Sequence, residues 1–378
     1  MIYFDNSATT QVLEEVAKLQ YDYSKEMFYN PSSVYAPAVA IKGELNSARA
    51  MLMNYLDAPR DGKVYFTSSA TEANNIILNG LIKKNKKALI SMGDHPSVYE
   101  VAKNLKNQGY DIEFIKLTKE GLLDIEHLKS LLSKEVGFVS FIHVSNETGA
   151  INDLTEISKL IKEISPKCII HCDGVQAFLK IPFSLSETSV DAYTVSSHKI
   201  HGPKGVGAFY IRNGIKLNPS IFGGGQEEGV RPGTENAPAI LAFMLACRIM
   251  AEKLQVNYTH SLELKNLMLK MLGENCTDFS INSLNAPTSP YILSVTFGGV
   301  KGEVLLHALE KRGVLVSTGS ACSSKLSGNR ILQAMGQPAE IIEGNIRFSF
   351  SELNTQEEVI MAVNYLAEEL NKLRKIKK

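Results

Sequence analysis

The chain has 378 residues, 44% of them hydrophobic and 21% charged, which is the make-up of a soluble globular protein of about two domains with sizeable cores. Lys plus Arg and Asp plus Glu balance at 40 each, which argues against a surface for direct nucleic-acid binding or for docking on a membrane. Five cysteines without framework spacing or a CxxC pair point to a reducing cytoplasm and to no metal site. The start, Met1-Ile2-Tyr3-Phe4-Asp5, lacks the basic and long apolar regions of a signal peptide, and no apolar run is long enough to span a bilayer.

Residues 1–12 read as a short extended arm with polar turn material from Asp5 to Thr10. Asn30-Pro31-Ser32-Ser33 is a turn placed to cap a helix over 34–57. A strand over 64–67 turns through Ser68-Ser69-Ala70-Thr71-Glu72-Ala73 into a helix that runs to about 83. A strand, a small-residue turn and a helix start together offer free backbone N–H groups to an anion, although Ser and Thr there also serve as ordinary caps. Strands over 88–92, 112–117, 136–144 and 168–172 then alternate with helices over 97–108, 124–132 and 153–164. A further strand over 190–195 leads to Ser196-Ser197-His198-Lys199-Ile200-His201-Gly202-Pro203-Lys204-Gly205, and another strand covers 206–212.

This alternation predicts an α/β fold with a mainly parallel central sheet and helices on both faces. His95, Asn146, Asp173 and Lys199 each follow a strand, so they meet at the carboxyl edge of that sheet, where ligands bind. Cys168 and Cys172 share one strand face and read as buried structural thiols. After the Gly-rich run 223–234 comes a long helical stretch over 235–272. The rest is a compact α+β unit: strands over 291–297, 314–317 and 346–350, and helices over 301–312, 327–335 and 355–374. The division expected is a large domain over 13–256 and a small domain of 1–12 with 257–378, the arm packing on the C-terminal unit.

Three constellations carry chemistry. Lys199, Asp173, His95 and the 68–72 turn supply what a pyridoxal phosphate site needs: an amine for a Schiff base, a carboxylate for the ring nitrogen, a planar group to stack and a helix start for the phosphate. Taken singly, each has an ordinary reading as a solvated lysine, a capping Asp, a packed His or a helix cap; their shared place at one edge favours the site. Cys322 lies in Ser317-Thr318-Gly319-Ser320-Ala321-Cys322-Ser323-Ser324, a run without apolar periodicity where an exposed thiol can act as a nucleophile or be incidental. Arg347 sits in an alternating strand with its fork available to a carboxylate or to solvent.

With these residues the chain resembles, nearly end to end, the cysteine desulfurases of the NifS/IscS kind within the class V aminotransferase group. The matching stretches are Tyr3-Phe4-Asp5-Asn6-Ser7-Ala8-Thr9-Thr10, Asn30-Pro31-Ser32-Ser33, 66–75, 143–149, Asp173-Gly174-Val175-Gln176, 196–205, 223–236, Gly319-Ser320-Ala321-Cys322 and Ile346-Arg347-Phe348-Ser349. The resemblance implies a fold type I transferase, a homodimer and pyridoxal 5'-phosphate. It implies Lys199 as the Schiff-base lysine, His95 as the stacking acid/base, Asp173 against the pyridine nitrogen and Gln176 against the ring hydroxyl. It implies Ala70 (through its N–H), Thr71, Ser196 and His198 around the phosphate, and Thr234 reaching the partner subunit's phosphate. Asn146 and Arg347 would take the substrate carboxylate, and Cys322 would accept sulfur.

The activity implied is conversion of L-cysteine to L-alanine with a persulfide left on Cys322, for an iron–sulfur scaffold or a tRNA-thiolation enzyme as acceptor. The alternative is a related lyase, such as a selenocysteine lyase, or an aminotransferase in which Cys322 is not the acceptor. The chain departs from the family's usual residues at Tyr35, Ala38, Glu228 (where an Arg is common) and Ser351-Glu352 (in place of Gly-Arg).

Overall fold

The computed structural model of the protein describes residues 1–318 and 329–376. The chain opens on β1 (Ile2–Tyr3), followed by α1 (Glu14–Glu26), α2 (Ala36–Tyr55), β2 (Lys63–Thr67) and α3 (Ala70–Leu81). An alternating stretch comes next: β3 (Lys87–Ser91), α4 (Pro96–Asn107), β4 (Ile112–Ile115), α5 (Ile125–Leu131), β5 (Val136–Ile142), α6 (Leu154–Ile164) and β6 (Ile169–Asp173). The strands β7 (Ala192–Ser196) and β8 (Gly207–Ile211) flank the Lys199 turn, and α7 (Ala237–Glu252) and α8 (Leu254–Asn275) follow. The C-terminal unit holds β9 (Phe279–Ile281), β10 (Ile292–Phe297), α9 (Gly302–Lys311), β11 (Val314–Leu315), α10 (Arg330–Ala334), α11 (Ala339–Glu343), β12 (Asn345–Ser349) and α12 (Gln356–Ile376).

Side-chain caps start several of these helices where the sequence places short polar residues. Ser69 accepts from the Glu72 N–H at 3.2 Å, Asp124 from His127 at 3.0 Å and Asp153 from Glu156 at 2.9 Å. The large sheet has the order β2-β8-β7-β6-β5-β3-β4, in which β8 runs antiparallel to both neighbours and the remaining strands run parallel. Successive residues of each strand go to opposite faces. Leu89, Val64 and Phe66 join one core with α2, α5, α6 and α7, whereas Ala88, Ile90 and Tyr65 join the other with α3 and α4. Helices therefore cover both faces, as the apolar strands require.

A third core gathers Ile2 and Phe4 with α8, α9, α12 and the strands β10 and β12. The arm pairs there: β1 runs parallel to β11, and Asp5 bridges to Ser349. The single helix expected over 235–272 is two, separated at Lys253, because α7 packs on α1 and α2 while α8 packs on α12. A helix serving two cores must change direction, and no Gly or Pro announces the place. Helix α1 was not expected from the sequence; only Val16 of it is buried, so its apolar stripe is too thin to read. Nor were β9 and α11 expected, both being very short. No described helix is long and apolar enough to cross a membrane.

Candidate active site

Four parallel neighbours, β7, β6, β5 and β3, stand side by side, so the turns at their carboxyl ends follow one another along one edge. In that order they present Lys199, Asp173, Asn146 and His95. The turn after β6 depends on Gly174: a Cβ there would lie 1.9 Å from the buried Tyr193 ring.

Asp173 is buried and orients a chain of polar groups. Its Oδ2 accepts from Asn74 Nδ2 at 2.9 Å, and the same amide donates to Ser97 Oγ at 2.8 Å. Ser97 Oγ lies 2.8 Å from His95 Nδ1, and the Ser97 N–H donates to that same nitrogen at 3.2 Å. Nδ1 is thus an acceptor, which leaves the neutral ring's proton on Nε2. Burial favours this neutral form and holds His95 below the usual histidine range, against the opposing pull of Asp173.

The Lys199 amine donates to the carbonyls of Ser7 at 2.5 Å and Ala8 at 2.7 Å. Burial, then the neighbouring cations Lys180 and Arg347, lower it to about 7. Gln176 Nε2 donates to the same Ser7 carbonyl at 2.8 Å. The arm is held over this turn by Thr10, whose N–H and hydroxyl both donate to the His198 carbonyl at 3.0 Å, and by Thr9 Oγ1, 3.1 Å from His198 Nδ1. Burial, then Lys199, pushes His198 down to about 3.

Beside the lysine turn is a polar cradle. The Ser196 hydroxyl is buried without a partner. Ser196 pairs with Gly207, and a Cβ on Gly207 would come within 2.9 Å of the Ala70 nitrogen. Only hydrogen at that position lets the start of α3 approach the end of β7. Thr71 is exposed in the first turn of α3. Thr234 is outside the set bonded to Lys199; it is exposed and lines a cavity of about 150 Å³ with Ser68, Gly205 and Arg231.

Arg347 is 5% exposed on β12 and meets the edge from the C-terminal unit. It donates to the Asn146 carbonyl at 2.9 Å and to Asp5 Oδ1 at 2.8 Å, with Glu147 Oε1 3.7 Å away. Asn146 spends its own amide on Glu147 at 2.9 Å. Burial raises the Glu147 carboxyl, while Arg347 opposes the shift. Cys322 lies outside the described residues. On its N-terminal side Ser317 pairs with the Arg347 backbone. On its C-terminal side Asn329 donates to Glu147 at 3.2 Å, and Arg330 donates to the carbonyls of Met92 and Asp94 while its guanidinium stands 4.1 Å over the Tyr99 ring. The other four cysteines are buried.

The unusual residues find local partners. Glu228 is ion-paired with Lys63 at 2.5 Å, both side chains being exposed, so its charge is matched. Tyr35 precedes α2 and meets the Tyr29 ring edge-on, and Ala38 is buried. Glu352 Oε1 lies 3.1 Å from Nε2 of His201, two residues beyond Lys199. Sequence reasoning assigned no role to Asn74, Ser97, Asp5, Glu147 or Lys180. Asn74 left a trace, a polar residue on the buried face of α3, but its partner Asp173, like the Arg347 partner of Asp5 and Glu147, is distant in sequence. Among the described residues no group of three His, Cys, Asp or Glu could hold a metal.

The family description "Aminotransferase class-V" matches residues 2–361. The chain is 34% identical over 380 residues to the cysteine desulfurase IscS of Dictyoglomus turgidum, covering 99% of this chain and 96% of that one. It superposes on the solved structure of a NifS-like protein with a TM-score of 0.91 at 32% identity, covering 98% and 99% of the two chains. It also superposes on SspA in complex with cysteine with a TM-score of 0.83 at 25% identity, covering 94% and 100%.

Proposed function

The chain belongs to the class V aminotransferase family, and on that premise we propose that it is a pyridoxal-phosphate-dependent cysteine desulfurase, converting L-cysteine to L-alanine and placing the sulfur on Cys322. The residues present fit the cofactor. Ser196 offers a buried hydroxyl without a partner, the start of α3 offers free N–H groups, and Asp173 stands ready for a protonated ring nitrogen. Lys199 would hold it covalently; Ala70 N, Thr71, Ser196 and His198 would hold its phosphate; Gln176 would face its ring hydroxyl. When bound, pyridoxal phosphate supplies an aldehyde for the substrate amine and an electron-poor ring that stabilises negative charge at the α-carbon.

The rest falls to the chain's own groups. Arg347 takes the substrate carboxylate beside Asn146, a reading supported by the Asp5 carboxylate 2.8 Å from the same guanidinium. Lys199, whose amine loses its proton near pH 7, removes the α-proton. His95 stacks over the reacting group and carries a proton on Nε2 for delivery. The Cys322 thiolate attacks the substrate sulfur, forming an S–S bond as the C–S bond breaks. The electron pair of the C–S bond goes to the β-carbon, which takes a proton, the α-carbon regains the proton held by Lys199 to give alanine, and Cys322 is left as a persulfide.

The observation that carries this reading is the adjacency of the Lys199, Asp173, Asn146 and His95 turns with Arg347 closing on them from the C-terminal unit. The proposed division is a large domain over 13–256 and a small domain of 1–12 with 257–378 that bears the cysteine. The enzyme acts as a cytoplasmic homodimer, Thr234 reaching the partner's phosphate, and a sulfur-acceptor protein empties Cys322. Cys322→Ala is the test: the cofactor stays bound and alanine formation from cysteine nearly stops. Alanine formed at the normal rate would instead establish the lyase reading.

A further inference from the structure

We propose that Lys180 is a positioning residue for the cofactor: its ammonium holds Oε1 of Gln176, so that the amide NH₂ is the end offered to the ring hydroxyl. This rests on the reading of Gln176 above. Lys180 follows Gln176 by four residues in the turn after β6 and is 4% exposed. Its Nζ lies 3.3 Å from Gln176 Oε1 and 5.6 Å from the centre of the Tyr291 ring. An ammonium has three donors and no acceptor, so only the oxygen end of the amide can face it. Gln176 Nε2 is thereby turned to the Ser7 carbonyl, 2.8 Å away, the same oxygen that accepts from the Lys199 amine.

A glutamine without such a neighbour could turn its amide by half a revolution and present an acceptor instead. Against the oxygen of the ring hydroxyl, which is anionic in much of the bound cofactor, that orientation sets two acceptors face to face. Burying a lysine is costly, and an apolar side chain would fill the same space without that cost. Burial lowers Lys180 to about 8, and the charge of Glu352 opposes the fall, so the ammonium persists at neutral pH. Lys180 in turn lowers the Glu352 carboxyl, so cation and carboxylate favour each other's charge across the junction with the C-terminal unit.

The test titrates full-length protein, freed of cofactor, with pyridoxal phosphate and with its 3-O-methyl ether. Lys180→Met should bind pyridoxal phosphate about tenfold more weakly, the size of one charge-assisted hydrogen bond. It should also lose most of the preference over the ether and shift the visible absorption maximum. Lys180→Arg should restore all three. Gln176→Leu separates the layers. If it binds both compounds as the parent does, the reading of Gln176 fails and this proposal with it. If it is weakened while Lys180→Met keeps full affinity and preference, the role of Lys180 alone is overturned. Should Lys180→Met not fold, the Lys180→Gln, Glu352→Gln pair is judged by the same criteria.

Discussion

Replacing Arg347 by alanine removes a cation that meets Asp5, Glu147 and the Asn146 carbonyl together. The side chain is nearly buried, so the loss is that of a desolvated charge-assisted pair, about 2–5 kcal/mol. At 1.4 kcal/mol per decade this lowers kcat/KM for cysteine by about 30-fold to a few thousandfold. A second effect accompanies it. Glu147 loses the nearer of the two cations that oppose its burial, Arg330 being the other, its carboxyl rises further, and the fold is destabilised by up to about 3–5 kcal/mol in the manner of a broken buried pair. Arg347→Ala with Glu147→Gln separates the two. It should recover most of the lost melting temperature, because the buried Glu147 charge is gone and the Asp5 carboxylate that remains is partly exposed to solvent, and none of the affinity for cysteine. Initial rates of alanine formation over a range of cysteine concentrations, alongside thermal melts, give both quantities. An unchanged kcat/KM in Arg347→Ala, or affinity regained with stability in the double variant, would falsify the carboxylate role.

Covalent capture of pyridoxal phosphate by the cofactor-free protein, trapped with borohydride, should depend on a neutral Lys199 amine. Its rate should rise through about pH 7 and level near pH 8, because burial disfavours the ammonium; a rate climbing to pH 10, as for a free lysine, would refute it. Gly174→Ala drives a methyl group into the Tyr193 ring, which cannot retreat because its hydroxyl holds His143 Nδ1 at 2.8 Å. We expect a loss of about 1–3 kcal/mol with weakened cofactor retention, read by thermal melts and absorbance, and an unaltered melting temperature would count against the crowding.

The alternating apolar runs of the strands and the polar caps of the helices determine the parallel sheet, because burial on both faces and a period of two are local properties of the chain. The same locality makes the strand-end residues His95, Asn146, Asp173 and Lys199 legible as one edge, since parallel strands present their carboxyl ends together. The break at Lys253 is not legible, because it follows from two cores competing for one helical stretch. Nor are the partners of the site. Asn74 steers both Asp173 and His95, Asp5 meets Arg347 across the whole length of the chain, and Lys180 acts through an amide whose direction is a question of neighbours. Spacing along the chain carries no information about which buried donors and acceptors face one another. That depends on how the arm, the sheet edge and the C-terminal unit pack, and it is in that packing that most desolvated polar groups find their partners.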